Sequence, residues 1–209
     1  SIYGMAMVRV IFSQEFLSQN LHPRECVKPL RAFVISLSYG IVSCASNKRY
    51  RTKISQLPKE VRCMKELRIT SAAFENNGAI PAKYTCDGDD VNPPLNIEGI
   101  PREAKSLVLI VDDPDAPMGT WVHWVVWNTP PKERIEENSV PGVEGLNDSR
   151  KHSYAGPCPP SGTHRYFFKI YALDTKLDLN TSSRKEDVER AMEGHILARG
   201  EIVGLYRRR

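Results

Sequence analysis

Three polar clusters in this chain of 209 residues hold the residue types that chemistry needs, each beside an apolar run. The first is Asp112-Asp113-Pro114-Asp115-Ala116-Pro117, closing the run Ser106–Val111. Its prolines fix φ and bar helix, so Asp113 and Asp115 sit in a stiff turn, to bind a ligand or to cap its N–H groups. The second is His123, set among Trp121, Trp124 and Trp127. On a regular strand 121, 123, 125 and 127 share a face, which predicts an aromatic wall beside an imidazole or a histidine satisfied in the core. The third runs from Tyr154 to Tyr166, YAGPCPPSGTHRY. Its glycines and prolines predict a rigid loop whose free N–H groups form an anion-accepting nest and which delivers His164 to a strand.

The elements that must position these clusters are mostly strands. Leu67–Thr70, Ser106–Val111, Trp121–Trp127, Arg165–Leu173 and Glu201–Tyr206 are apolar or β-branched runs. The unbroken SLVLIV run predicts a strand buried on both faces. Between the runs lie DGDDVNPP, DDPDAPMG, NTPPKE and GPCPPSG, turn chemistry without helical crossovers. That pattern predicts a mainly β domain, an antiparallel β-sandwich of two sheets. One C-terminal helix is signalled by Ser183 and Glu186 as a capping box, then Val188, Ala191, Met192, His195 and Ile196, with Gly200 as its stop. It should cover an edge or face of the sandwich.

The DPDAP segment, His123-Trp124 and the stretch GPCPPSGTHRYFFKIYALD resemble the signature blocks of the phosphatidylethanolamine-binding protein family. The nearest likeness is to its bacterial and archaeal, Raf-kinase-inhibitor-like branch. KYTCDGDDVNPPL (83–95), GLND (145–148) and EGHILARGEIVGLY (193–206) add to it. The resemblance covers residues 64–209 and nothing before Met64. It implies a sandwich with a small pocket for an anionic group, formed by Asp113, Asp115, Pro117, Trp121, His123, Cys158 through its backbone N–H, His164 and Tyr166. Two departures affect the rim: a short stretch at 129–144, and SRKHSY after Asp148 where relatives carry Phe or Tyr followed by Gly.

Such a pocket suits phosphate or a phosphoethanolamine-like head group. Two imidazoles can each donate to a phosphate oxygen, and loop N–H groups add donors. Asp113 or Asp115 accepting from a histidine orients the ring and favours its charged form. The expected function is therefore a non-catalytic binding or regulatory protein without a cofactor. A rival is an inhibitor of a serine protease or kinase, acting through the surface around the pocket. A metal-dependent hydrolase using the two His and two Asp is a second rival, although HExxH and GxSxG are both missing from the sequence.

The net charge of +4 is unevenly spread. Residues 1–63 hold ten Lys/Arg and three Glu, leaving the remainder slightly acidic and with no global pull toward nucleic acid. The run Ala32–Cys44 after Arg24, Lys28 and Arg31 is too short to span a bilayer. It fits a lipoprotein-type signal with Cys44 as the lipidated residue, which alone would bring the chain to a membrane; otherwise 1–63 is an extension and the protein cytoplasmic. Five cysteines without CxxC spacing argue against structural zinc. Cys86 and Cys158, both in motif blocks, are read as buried thiols, with a disulfide as the alternative and Cys158 an oxidation-sensitive thiol if free.

Overall fold

The computed structural model describes residues 64–208, so the readings made on 1–63, Cys44 included, lie outside the described residues. Ten strands, one α-helix and a short 3-10 helix (Ala82–Tyr84, between β3 and β4) make up the described residues: β1 (Lys65–Glu66), β2 (Arg68–Thr70), β3 (Gly78–Ala79), β4 (Leu95–Glu98), β5 (Ser106–Asp113), β6 (Trp121–Thr129), β7 (Arg134–Ile135), β8 (Val143–Glu144), β9 (His164–Leu173), α1 (Lys185–Met192) and β10 (Ile196–Tyr206). One sheet runs β1-β10-β9-β5-β6-β8, with β3 also on β10; the other is β2-β4-β7.

All eight residues of β5 are buried, and the reason is that both faces of the large sheet are covered. On one face Leu107, Leu109, Val111, Trp124, Tyr166, Phe168 and Ile170 share a core with Ile69, Leu95 and Ile97 of the small sheet. On the other, Val108, Ile110, Val122, Val125, Trp127 and Leu173 pack with Val188 and Met192 of α1. The helix thus lies where the sequence predicts, over a sheet face. Full burial of its Val188 alone removes about 1.5–3 kcal/mol worth of apolar surface from water.

Three expectations are corrected. Pairing is antiparallel through the middle of the large sheet, but β1 and β3 both run parallel to β10, so the sheet is not purely antiparallel. The helix starts at Lys185, and the carboxylate that caps it is Asp187, accepting from the Arg184 N–H at 3.1 Å, not Glu186 under Ser183. It also ends at Met192, because Gly194 at φ +77° takes the left-handed conformation that stops a helix. Gly200 stands instead inside β10 opposite Ile170, where a Cβ would collide with the Leu67 backbone.

Candidate functional site

Strand order places the three polar clusters together. Along β5 the side chains alternate, so Leu107, Leu109, Val111 and Asp113 share the inner face, while Asp112 looks outward to Lys169 and Lys185 at 2.9 and 2.6 Å. On β9 the same inner face carries Tyr166 above Phe168 and Ile170, and His164 one step further along. β5 lies between β9 and β6, so Asp113, His164, Tyr166 and the start of β6 meet at one end of the sheet.

His123 reaches this end through a break in register. Val111 pairs with Trp124 and Asp112 with Val122, leaving His123 as the extra residue of a β-bulge. The expected sharing of one face holds for Trp121 and His123 and fails for Val125 and Trp127. Val125 and Trp127 pack on the helix side, whereas Trp121 and His123 line the cavity with Tyr166. The His123 and Tyr166 rings meet edge to face, their centroids 5.2 Å apart.

The cavity holds about 420 Å³. Seven of the eight expected residues line it: Asp113, Pro117, Trp121, His123, Cys158, His164 and Tyr166. Asp115 does not. Its carboxylate turns to Arg165, accepting from the backbone N at 3.0 Å, from Nε at 2.8 Å and from Nη2 at 2.6 Å. Those bonds hold the carboxyl at about 2 and fasten the 113–118 loop to the start of β9.

Both histidines have one nitrogen fixed by the protein. His164 Nδ1 donates to Asp113 Oδ2 at 2.7 Å, with both side chains buried. His123 Nδ1 donates to the Ala155 carbonyl at 2.6 Å. A carbonyl only accepts, so the hydrogen on His123 sits on Nδ1, and Nε2 has no hydrogen-bond partner among the described residues. Burial pushes the His123 pKa below its ordinary value, more strongly than the Ala155 carbonyl and the nearby carboxylates raise it. The buried Tyr166 hydroxyl lies beside Asp113 and the Cys158 N–H without a well-formed bond to either. Burial, then the Asp113 charge, pushes its pKa up, so it stays a neutral donor.

The rest of the wall comes from two loops. Asn147 organises 147–155: its Oδ1 accepts from the Lys151 N–H at 2.9 Å, and its Nδ2 donates to the His123 and Ser153 carbonyls at 3.2 and 2.9 Å. Lys151 and Ser149 thereby line the cavity, and Lys151 is its one Lys or Arg among the described residues. Asp90 accepts from the Gly156 N–H at 2.6 Å, which removes that N–H from the expected anion nest. Sequence reasoning missed Asp90 and Lys151 as lining residues; DGDD and the departure at SRKHSY were their only signals.

Cys86 and Cys158 form a disulfide, with their Cα atoms 5.5 Å apart, which corrects the reading of two buried thiols. Cys158 is exposed and Cys86 half-buried, so neither is hidden in the core, and among the described residues no free thiol remains at the site for oxidation. Nor is the zinc set of the hydrolase alternative assembled: Asp115 lies outside, and among the described residues no three His, Cys, Asp or Glu are grouped to hold a metal.

A model of the phosphatidylethanolamine-binding protein family matches residues 70–207. The chain belongs to that family. A UPF0098 protein from Methanothermobacter thermautotrophicus is 53% identical over 150 residues, which cover 68% of this chain and 99% of its own. The crystal structure of a phosphatidylethanolamine-binding-protein homologue from Chlamydia trachomatis is 43% identical, with a TM-score of 0.67 over 69% of this chain and 99% of that one. E. coli YbcL, described as a member of the mammalian family, is 28% identical with a TM-score of 0.64, again over 69% and 99%. Family membership accounts for the ordered blocks in the sequence. In this member GLND is the loop organiser, since Asn147 holds 147–155 and Asp148 accepts from the Val122 N–H at 2.8 Å to anchor β6.

Proposed function

We propose that this protein is a non-catalytic binding and regulatory protein whose cavity takes a small anionic group, a phosphate or a phosphoethanolamine-type head group. The observation that carries the reading is the pair of imidazoles with fixed tautomers. His123 and His164 each spend Nδ1 on the protein and leave Nε2 to the cavity. Protonated, each Nε2–H donates to a phosphate oxygen; neutral, it accepts from the hydroxyl of a singly protonated phosphate. The Tyr166 hydroxyl, the Cys158 N–H and Lys151 complete the donors.

Carboxylates beside an anion are unfavourable unless they are occupied. Here Asp113 is committed to His164 and Asp90 to the Gly156 N–H, which turns both toward positioning. Trp121 and Pro117 supply an apolar wall for the organic part of a head group.

A second reading, inhibition of a serine protease or kinase through the surface around the pocket, is favoured by the rim. Met118 is 95% exposed and Trp121 39%, both beside the cavity, and exposed apolar side chains of this kind mark contact surfaces. In either reading residues 64–209 form the binding domain, a β-sandwich of the family type, and 1–63 an extension. Among the described residues no helix is long and apolar enough to cross a membrane, and we place the protein in the cytoplasm, with anchoring through Cys44 as the alternative.

Calorimetric titration of the full chain with inorganic phosphate at pH 5.5 and 8.5 tests the proposal. Tighter binding at pH 5.5 supports it. Equal affinity at both would contradict donation by the imidazoles.

A further inference from the structure

We infer that the Cys86–Cys158 disulfide is a redox gate on the pocket, closed to its binding geometry when oxidised and slackened when reduced. The inference rests on the anion-pocket reading above and adds its regulation.

Both cysteines line the cavity, and they join loops 72 residues apart in the chain. Apart from the bridge the loops are joined by three hydrogen bonds: the Cys86 N–H donates to the Pro157 carbonyl at 3.2 Å, Asp90 holds the Gly156 N–H, and the Tyr154 hydroxyl donates to the Tyr84 carbonyl at 3.0 Å. All three stop short of Cys158. Beyond it, Pro159 is held only by packing, Pro160 and Gly162 are exposed, and no hydrogen bond ties Pro159–Thr163 to other described residues. The bridge is therefore the tether that holds the Cys158 N–H against the Tyr166 hydroxyl and keeps Pro159 and Pro160 as a wall. It is also reachable, because Cys158 is exposed. A structural disulfide buried in the core has neither property.

The chemistry is thiol–disulfide exchange with a dithiol reductant. A thiolate of the reductant attacks Cys158 Sγ, and the Sγ–Sγ bond breaks with Cys86 leaving as a thiolate that takes a proton. The reductant's second thiolate then attacks its own sulfur in the mixed disulfide and releases Cys158, which takes the second proton. The reductant leaves oxidised to its disulfide, two electrons having passed to the protein.

The test measures inorganic phosphate binding on the full chain carrying Cys26→Ser, Cys44→Ser and Cys63→Ser, so that only this pair titrates. Oxidised protein should bind phosphate. Dithiol treatment should expose two thiols and weaken binding about tenfold, the weight of one lost hydrogen bond to a charged group. Reoxidation should restore it, and Cys86→Ser/Cys158→Ser should bind like the reduced form. Equal affinity in both redox states overturns the gate while leaving the pocket reading intact. Loss of the circular dichroism of the folded state on reduction, or resistance of the bridge to the dithiol, also overturns it, by making the bridge purely structural. Absence of phosphate binding by the oxidised protein defeats the pocket reading itself, and the gate with it.

Discussion

His123 and Ala155 hold each other by both ends: the imidazole Nδ1 donates to the Ala155 carbonyl at 2.6 Å, and the Ala155 N–H returns to the His123 carbonyl at 3.2 Å. The bulge that turns His123 into the cavity is thus closed by the loop that forms the cavity's far wall. The residue that would read the ligand and the loop that encloses it are one unit.

The first consequence is in stability against pH. Burial lowers the folded-state pKa of His123 below its value in the unfolded chain. Between the two values the unfolded chain binds more protons, so this contribution is fully present above about pH 6.5 and is lost as pH falls through the folded pKa. Thermal melts without phosphate should show the wild-type chain losing stability from pH 6.5 to 5 relative to His123→Gln. Phosphate should oppose that loss, because an anion favours the protonated ring. Parallel pH curves for the two proteins would contradict the account.

Asp115 behaves differently from Asp113. Its carboxyl is held at about 2 by Arg165, so its contribution is fully present above about pH 4 and is lost as pH falls from there through that value. The pair is half-exposed, and such pairs contribute up to about 1 kcal/mol. Asp115→Asn is expected to cost no more than that in urea unfolding and to leave phosphate affinity within about twofold, whereas Asp113→Ala, which frees the His164 ring, should lower affinity about tenfold.

Much of this arrangement was legible in the residues, because β5, β6 and β9 are long apolar runs and the family blocks flank them. What escaped has physical causes. The strands β3, β4, β7 and β8 are two to four residues long and too short to show a period. Gly200 looked like a helix stop, yet it is glycine because the chain at Leu67 presses against it. The bulge at His123 leaves no mark in sequence, so the even-odd rule put Val125 and Trp127 on the face of Trp121 and His123, when they pack on the other. Asp115 and Asp113 are two residues apart on one stiff turn, and only the position of Arg165 across the sheet separates their roles.

Gly156 should tolerate no side chain. A Cβ there would lie 2.6 Å from the Tyr84 carbonyl oxygen and 2.7 Å from Asp90 Oδ1. Gly156→Ala is expected to destabilise the chain by about 1–3 kcal/mol, read from the denaturant midpoint, and to weaken phosphate binding by moving the wall.

Asn147 is buried and serves three backbone groups through its side chain. Asn147→Ala leaves those groups unsatisfied, at a cost of about 2 kcal/mol. Amide exchange should accelerate at Lys151 and Ala155 well before it does in β5.

An anion in the cavity should meet the Nε2 atoms of His123 and His164 together. Side-chain NMR of the full chain, titrated with phosphate and with phosphoethanolamine, reads both rings at once. Saturable shifts in both rings at one common affinity are predicted, with Nδ1 still protonated in each. Unmoved rings at ligand concentrations that saturate the protein by calorimetry would contradict the account and give the lead to the exposed rim around Met118 and Trp121.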